Sequence, residues 1–116
     1  MVIHYPKKQS RSKYNNKKTT YNGRLYDSKK EAEYSGLLDV LKNAKNDSDR
    51  VVEIEYQPPY VCIVNDKKIF TYKADFRVTY ADGRVEVIDV KGMKTSVYRI
   101  KKKLVEALYG FEIIEV

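Results

Sequence analysis

Apolar positions recur along this chain with two different periods, and the alternation between them predicts the order of elements. Tyr34, Leu37, Leu38 and Leu41 have helical spacing. Ahead of them, Asp27 or Ser28 suits an N-cap, and Ser28-Lys29-Lys30-Glu31 is a capping-box pattern, so a helix is expected from there to about residue 44. The polar run from Asn43 to Arg50 ends it. Val52, Ile54 and Tyr56 then alternate with Glu53 and Glu55, the pattern of a half-buried strand, and Pro58-Pro59 breaks it. Tyr60 to Val64 reads as an apolar strand. Residues 68–80 read as one long strand with two faces. Phe70, Tyr72, Ala74, Phe76, Val78 and Tyr80 lie on one face, and Thr71, Lys73, Asp75, Arg77 and Thr79 on the other. A return strand is expected over 84–91, a helix over about 95–109 closed by Gly110, and a last strand over 111–116. The predicted class is α/β with a mixed α+β sheet, in the order α-β-β-β-β-α-β, flanked by helices.

The turn between the long strand and its return fixes which side chains meet. A two-residue loop, Asp82-Gly83, would set Asp75 opposite Val90. A three-residue loop, Ala81-Asp82-Gly83, with Gly in the left-handed region, pairs Tyr80 with Arg84 instead. That register sets Asp75 opposite Asp89, Lys73 opposite Lys91, and Phe76 opposite Ile88 on the apolar face. The same pairing then builds core and acidic pair together, so the three-residue loop is expected. Two facing carboxylates repel unless a positive charge lies between them. Oxygen-only ligands suit Mg²⁺, with Mn²⁺ able to substitute. Lys91, two residues after Asp89 on the same face, is placed to orient or activate a metal-bound water. The bland explanation is a surface strand pair with cross-strand Asp–Lys ion pairs.

Two further charged positions draw notice. In the second helix the apolar stripe reads Val97, Ile100, Leu104, Val105 and Leu108, and Lys101 falls within it while Lys102 and Lys103 point away. An inward lysine needs an acidic or phosphate partner, unless it snorkels from the stripe's edge. Glu31 lies toward the edge of the first helix's stripe, where a first-turn acid also suits the helix dipole.

Composition bounds the rest. The 116 residues suit one domain, 42% hydrophobic and 34% charged. No apolar run reaches membrane-spanning length and the N-terminus lacks an apolar leader pattern, so a cytoplasmic protein is expected. The single cysteine, Cys62, sits in an apolar run and is expected to be buried in a strand. The formal charge of +7 belongs wholly to the first 26 residues, which carry Lys7, Lys8, Arg11, Lys13, Lys17, Lys18 and Arg24 and no acid. Residues 1–24 therefore read as a basic arm that binds the phosphate backbone of DNA, and 25–116 as the single domain. A solvated leader is the competing explanation for the arm.

Taken in order, these residues resemble the PD-(D/E)XK nuclease superfamily, and more narrowly small phage-encoded proteins of it. The resemblance rests on Lys13 to Asn16, Asp27 to Glu33, Tyr72-Lys73-Ala74-Asp75-Phe76 and Asp89-Val90-Lys91-Gly92, and covers roughly residues 13–116. It implies a restriction-endonuclease-like core and metal-dependent cleavage of phosphodiester bonds. Asp75 and Asp89 would be Mg²⁺ ligands, with the Val90 carbonyl as a third and Glu31 completing the site. Lys91 would act on the attacking water, and Lys101 would contact the scissile phosphate. Ala74 replaces the motif's proline, and the second acid is Asp rather than the commoner Glu. The activity expected is a DNA endonuclease on phage recombination or replication intermediates, such as branched DNA of the Holliday-junction type. Lys73 joins Lys101 and the lysines and arginine of the arm as expected DNA contacts. A homodimer would supply paired cuts on a symmetric junction. The alternative is a non-catalytic DNA-binding module on the same scaffold.

Overall fold

The computed structural model describes residues 18–116. It begins with a short hairpin, β1 (Thr19–Tyr21) and β2 (Arg24–Tyr26). Asn22 and Gly23 form its turn with φ of 52° and 81°, the left-handed pair that a tight hairpin needs. Helix α1 (Lys29–Leu41) follows. Ser28 caps it, its hydroxyl accepting from the Glu31 amide at 3.1 Å. The Glu31 carboxylate in turn accepts from the Asp27 amide at 3.3 Å, one residue ahead of a standard capping box. Strands β3 (Val51–Tyr56), β4 (Pro59–Val64), β5 (Lys67–Lys73), β6 (Phe76–Tyr80) and β7 (Val85–Asp89) come next, then α2 (Ser96–Tyr109) and β8 (Ile113–Glu115). The fold is a mixed α/β one. Its main sheet runs β3-β6-β7-β8, antiparallel except for the parallel β7–β8 pair. No helix among the described residues is long and apolar enough to cross a membrane.

Three expectations need correction. The single strand expected over 68–80 is two strands, so five strands rather than four lie between the helices. The break follows from its neighbour. Gln57 takes a φ of 51° and Pro58 has no amide hydrogen, so the β3–β4 segment bends there. Its partner must bend with it: the Gln57 amide donates to the Asp75 carbonyl at 2.9 Å and the Ala74 amide to the Pro58 carbonyl at 3.2 Å. Beyond the bend, β5 pairs with β4 in a separate ribbon, and Lys73 stands opposite Pro59 rather than Lys91. Second, the β1–β2 hairpin crosses the boundary expected between arm and domain, and Tyr26 is part of the core. Third, α2 turns a different face inward. Val97 and Ile100 are 60% and 67% exposed, and Tyr98 and Val105 are buried instead. The inward line therefore runs through Tyr98, Lys101, Lys102 and Val105, with both lysines half-buried. In α1, Leu37 is likewise exposed while Ala32, Ser35 and Leu38 are buried, and the helix stops at Leu41.

The sheet has a core on each side. Phe76, Val78, Tyr80, Ile88 and Val90 meet Ala32 and Leu38 of α1, together with Tyr26 and Val51. Val87, Ala74, Tyr72 and Ile113 meet Tyr98 and Val105 of α2, along with Tyr60 and the buried Cys62. Strand β7 is thus covered on both faces, which is why Val87, Ile88 and Asp89 are all buried.

Candidate functional site

The hairpin loop is the three-residue one. The Tyr80 amide donates to the Arg84 carbonyl, the Gly83 amide to the Tyr80 carbonyl, both at 2.9 Å, and Gly83 has a φ of 92°. Phe76 consequently lies opposite Ile88. One step further, at the bend, each aspartate side chain is tied to main chain across the strand pair, Asp89 to the Asp75 amide and Asp75 to the Val90 amide. The Asp75 amide donates to Asp89 Oδ1 at 3.0 Å and also to the Ile88 carbonyl at 3.1 Å. The Val90 amide donates to Asp75 Oδ2 at 2.7 Å. The two aspartates are therefore held at fixed positions by main-chain bonds rather than by ion pairs.

Asp89 is wholly buried, and its other oxygen, Oδ2, has no hydrogen-bond partner among the described residues. Leaving a buried charged acceptor unsatisfied costs about 1–3 kcal/mol or more. Burial pushes the Asp89 carboxyl above the usual range, against the pull of Lys91 and of the Asp75 amide. Glu31, 5% exposed, reaches Asp75 from α1. Burial and the shared hydrogen bond with Asp75 push its carboxyl up to about 8. Both carboxyls line a small cavity of about 110 Å³ with Arg24, Tyr26, Tyr56 and Gln57. Helix α1 and the β6–β7 pair thus set Glu31 beside Asp75, and Asp75 beside Asp89 and the Val90 amide. Among the described residues, no three His, Cys, Asp or Glu side chains converge closely enough to hold an ion as they stand.

Lys91 follows Asp89 toward α2, its Nζ 4.4 Å from the centre of the Tyr98 ring. It shares a second cleft, of about 300 Å³, with Lys73 and Lys101. The bend that parts Lys73 from the Lys91 ladder position still leaves both on this cleft. Tyr72, Thr71 and Thr95 also line it and were not singled out by sequence. The signal for Tyr72 was its place two residues from Ala74 on the buried face of the strand. Lys18 forms an exposed ion pair with Asp27 at 3.2 Å. Lys7, Lys8, Arg11, Lys13 and Lys17, the other expected DNA contacts, lie outside the described residues.

Residues 11–113 match the family described as "Protein of unknown function (DUF1064)". The chain belongs to that family. No curated protein and no solved structure matches it. The match spans both acidic and basic clefts, so Glu31, Asp75, Asp89, Lys91 and Lys101 all fall within the family's bounds.

The Glu31 proton makes a prediction with a definite sign. Its carboxyl is raised from 4.5 to about 8 on folding, so the folded chain holds a proton that the unfolded chain has released. Stability from this group is fully present below about pH 4.5 and is lost as pH rises toward 8. Glu31→Gln should therefore flatten the fall of the urea midpoint between pH 5 and 8 in EDTA, gaining about 1–3 kcal/mol at the upper end. Asp89, shifted in the same direction, keeps some slope in the variant. Parallel profiles for the two proteins would show that Glu31 ionises normally.

Proposed function

We propose that this protein is a metal-dependent DNA endonuclease with a restriction-endonuclease-like core. The observation that carries this reading is the buried Asp89 carboxylate bonded to the Asp75 amide, whose Oδ2 has no partner among the described residues. An all-oxygen, acid-rich set that is short of positive charge suits Mg²⁺ or Mn²⁺. Asp75, Asp89 and the Val90 carbonyl would hold the ion, and Glu31 would join them on losing its proton. When bound, the ion supplies Lewis-acid stabilisation of the phosphate under attack. The chain's own groups do the rest. Lys91 orients the attacking water and eases its deprotonation. Lys73 and Lys101, on the same cleft, neutralise phosphate charge, and the basic arm adds backbone contacts. Branched recombination or replication intermediates in a host-cell cytoplasm are the proposed substrates, and a homodimer would provide paired cuts.

A second reading, a DNA-binding module that does not cut, is favoured by the hydrogen bond between Glu31 and Asp75, because that contact must open before a cation is held between them. Plasmid nicking separates the two. Asp89→Asn keeps the shape and the acceptor for the Asp75 amide. With Mg²⁺ or Mn²⁺ the parent chain should nick supercoiled DNA, and Asp89→Asn should lose about 10²–10³-fold of that rate. Undiminished nicking in the variant, or in EDTA, would remove Asp89 and the metal from the reaction.

A further inference from the structure

The cleft between β5 and α2 concentrates positive charge. Lys73, Lys91 and Lys101 line it, and no carboxylate does. None of the three lysines has an ion-pair partner within 4 Å among the described residues. Lys91 and Lys101 rest over the Tyr98 and Phe70 rings instead, at 4.4 and 5.4 Å. Hydroxyls accompany the charges. Tyr72, 6% exposed, lines the cleft, and its hydroxyl is buried with no partner among the described residues. Thr95 caps α2 by accepting from the Tyr98 amide at 3.1 Å, which leaves its own hydrogen free to donate. The N-terminus of this 14-residue helix therefore opens beside the cleft and adds its positive dipole end.

We propose that this cleft binds a phosphate dianion, of the kind carried by a phosphorylated nucleic-acid end or by free phosphate. A phosphodiester bears one negative charge, whereas a phosphomonoester bears about 1.5 to 2 near neutral pH and offers three acceptor oxygens. Three ammonium groups, a buried phenol and a helix N-terminus match the second. The cleft's volume of about 300 Å³ is at the lower end of small-ligand sites, enough for the phosphate and part of its sugar. This inference rests on the nuclease reading only for the nucleic-acid source. There it names the end chemistry of the DNA that this cleft holds.

Calorimetric titration of the full chain in EDTA tests it without any cleavage. Inorganic phosphate and matched oligonucleotides with 5′-phosphate, 3′-phosphate or hydroxyl ends are the probes. One phosphorylated end should bind at least about tenfold more tightly than the hydroxyl end, and inorganic phosphate should compete with it. Lys101→Met should erase the difference, Lys101→Arg should restore much of it, and Tyr72→Phe, which removes one oxygen only, should reduce it. Phosphate that binds in the cleft without any preference between oligonucleotide ends would support the site with free phosphate as its source. No binding of phosphate and no end preference, or a preference that survives Lys101→Met, would overturn the proposal. Because binding is read without metal, its failure leaves the nuclease reading standing, and a chain that never cuts can still pass.

Discussion

Replacing Lys91 with alanine should lower metal-dependent cleavage by about 10²–10⁴-fold, far more than it weakens DNA binding. The asymmetry follows from where the lysine sits. Its ammonium rests over the Tyr98 ring and the residue is only partly buried, so its loss removes a contact worth about 0.5–1 kcal/mol and leaves the fold intact. It is also a positive charge that acts on the buried Asp89, and alanine would leave that carboxyl still more reluctant to ionise. Single-turnover cleavage with saturating enzyme isolates the chemical step from binding. A collapse in that rate far beyond any change in Kd is the expected result. Cleavage that survives in Lys91→Ala would take the lysine out of the chemistry.

The largest loss of stability should come from Phe76→Ala, about 3–5 kcal/mol by urea denaturation. Phe76 is 1% exposed and sits opposite Ile88 at the centre of the α1-side core. The rings of Tyr26, Tyr34 and Tyr56 surround it at centroid distances of 6.4, 5.8 and 5.9 Å. Truncation would strip contacts from β2, α1 and β3 at once. It would also loosen the neighbouring Asp75, whose amide and carboxylate bonds depend on the β6–β7 register. Phe76→Leu, which refills most of the volume, should cost much less, and the two values together separate packing loss from general misfolding. A cost below about 1 kcal/mol for Phe76→Ala would show that the cavity collapses and that the ring is not central.

The hairpin that carries both aspartates was legible because two independent signals agreed. Asp82-Gly83 favours a left-handed Gly83, and only that loop sets Phe76 against Ile88. The cap of α1 was equally plain in Ser28 and Glu31. The bend at Ala74–Asp75 was hidden because side-chain alternation runs through it unbroken: Tyr72, Ala74, Phe76, Val78 and Tyr80 are all buried, yet they serve two separate cores. Its cause lies in Gln57 and Pro58 of the partner strand, which a single-strand pattern does not contain. The face of α2 was misjudged for a related reason. Counting apolar residues favoured Val97 and Ile100, whereas Tyr98 and Val105 fit the groove and let Lys102 reach Glu106 and Glu115 at 3.7 and 3.8 Å. The first hairpin, turned at Asn22-Gly23, was hidden by the basic composition around it, which suggested an arm. The contact between Glu31 and Asp75 depends on how α1 lies across the sheet, which no local pattern states.

The most direct measurement is cleavage of a labelled four-way junction beside a plain duplex, with Mg²⁺, Mn²⁺ or EDTA, comparing the parent chain with Asp75→Ala. Metal-dependent cutting that disappears in Asp75→Ala is the expected result, with the junction cut faster than the duplex. Binding without cutting in either metal would contradict the nuclease assignment and leave a DNA-binding module as the function.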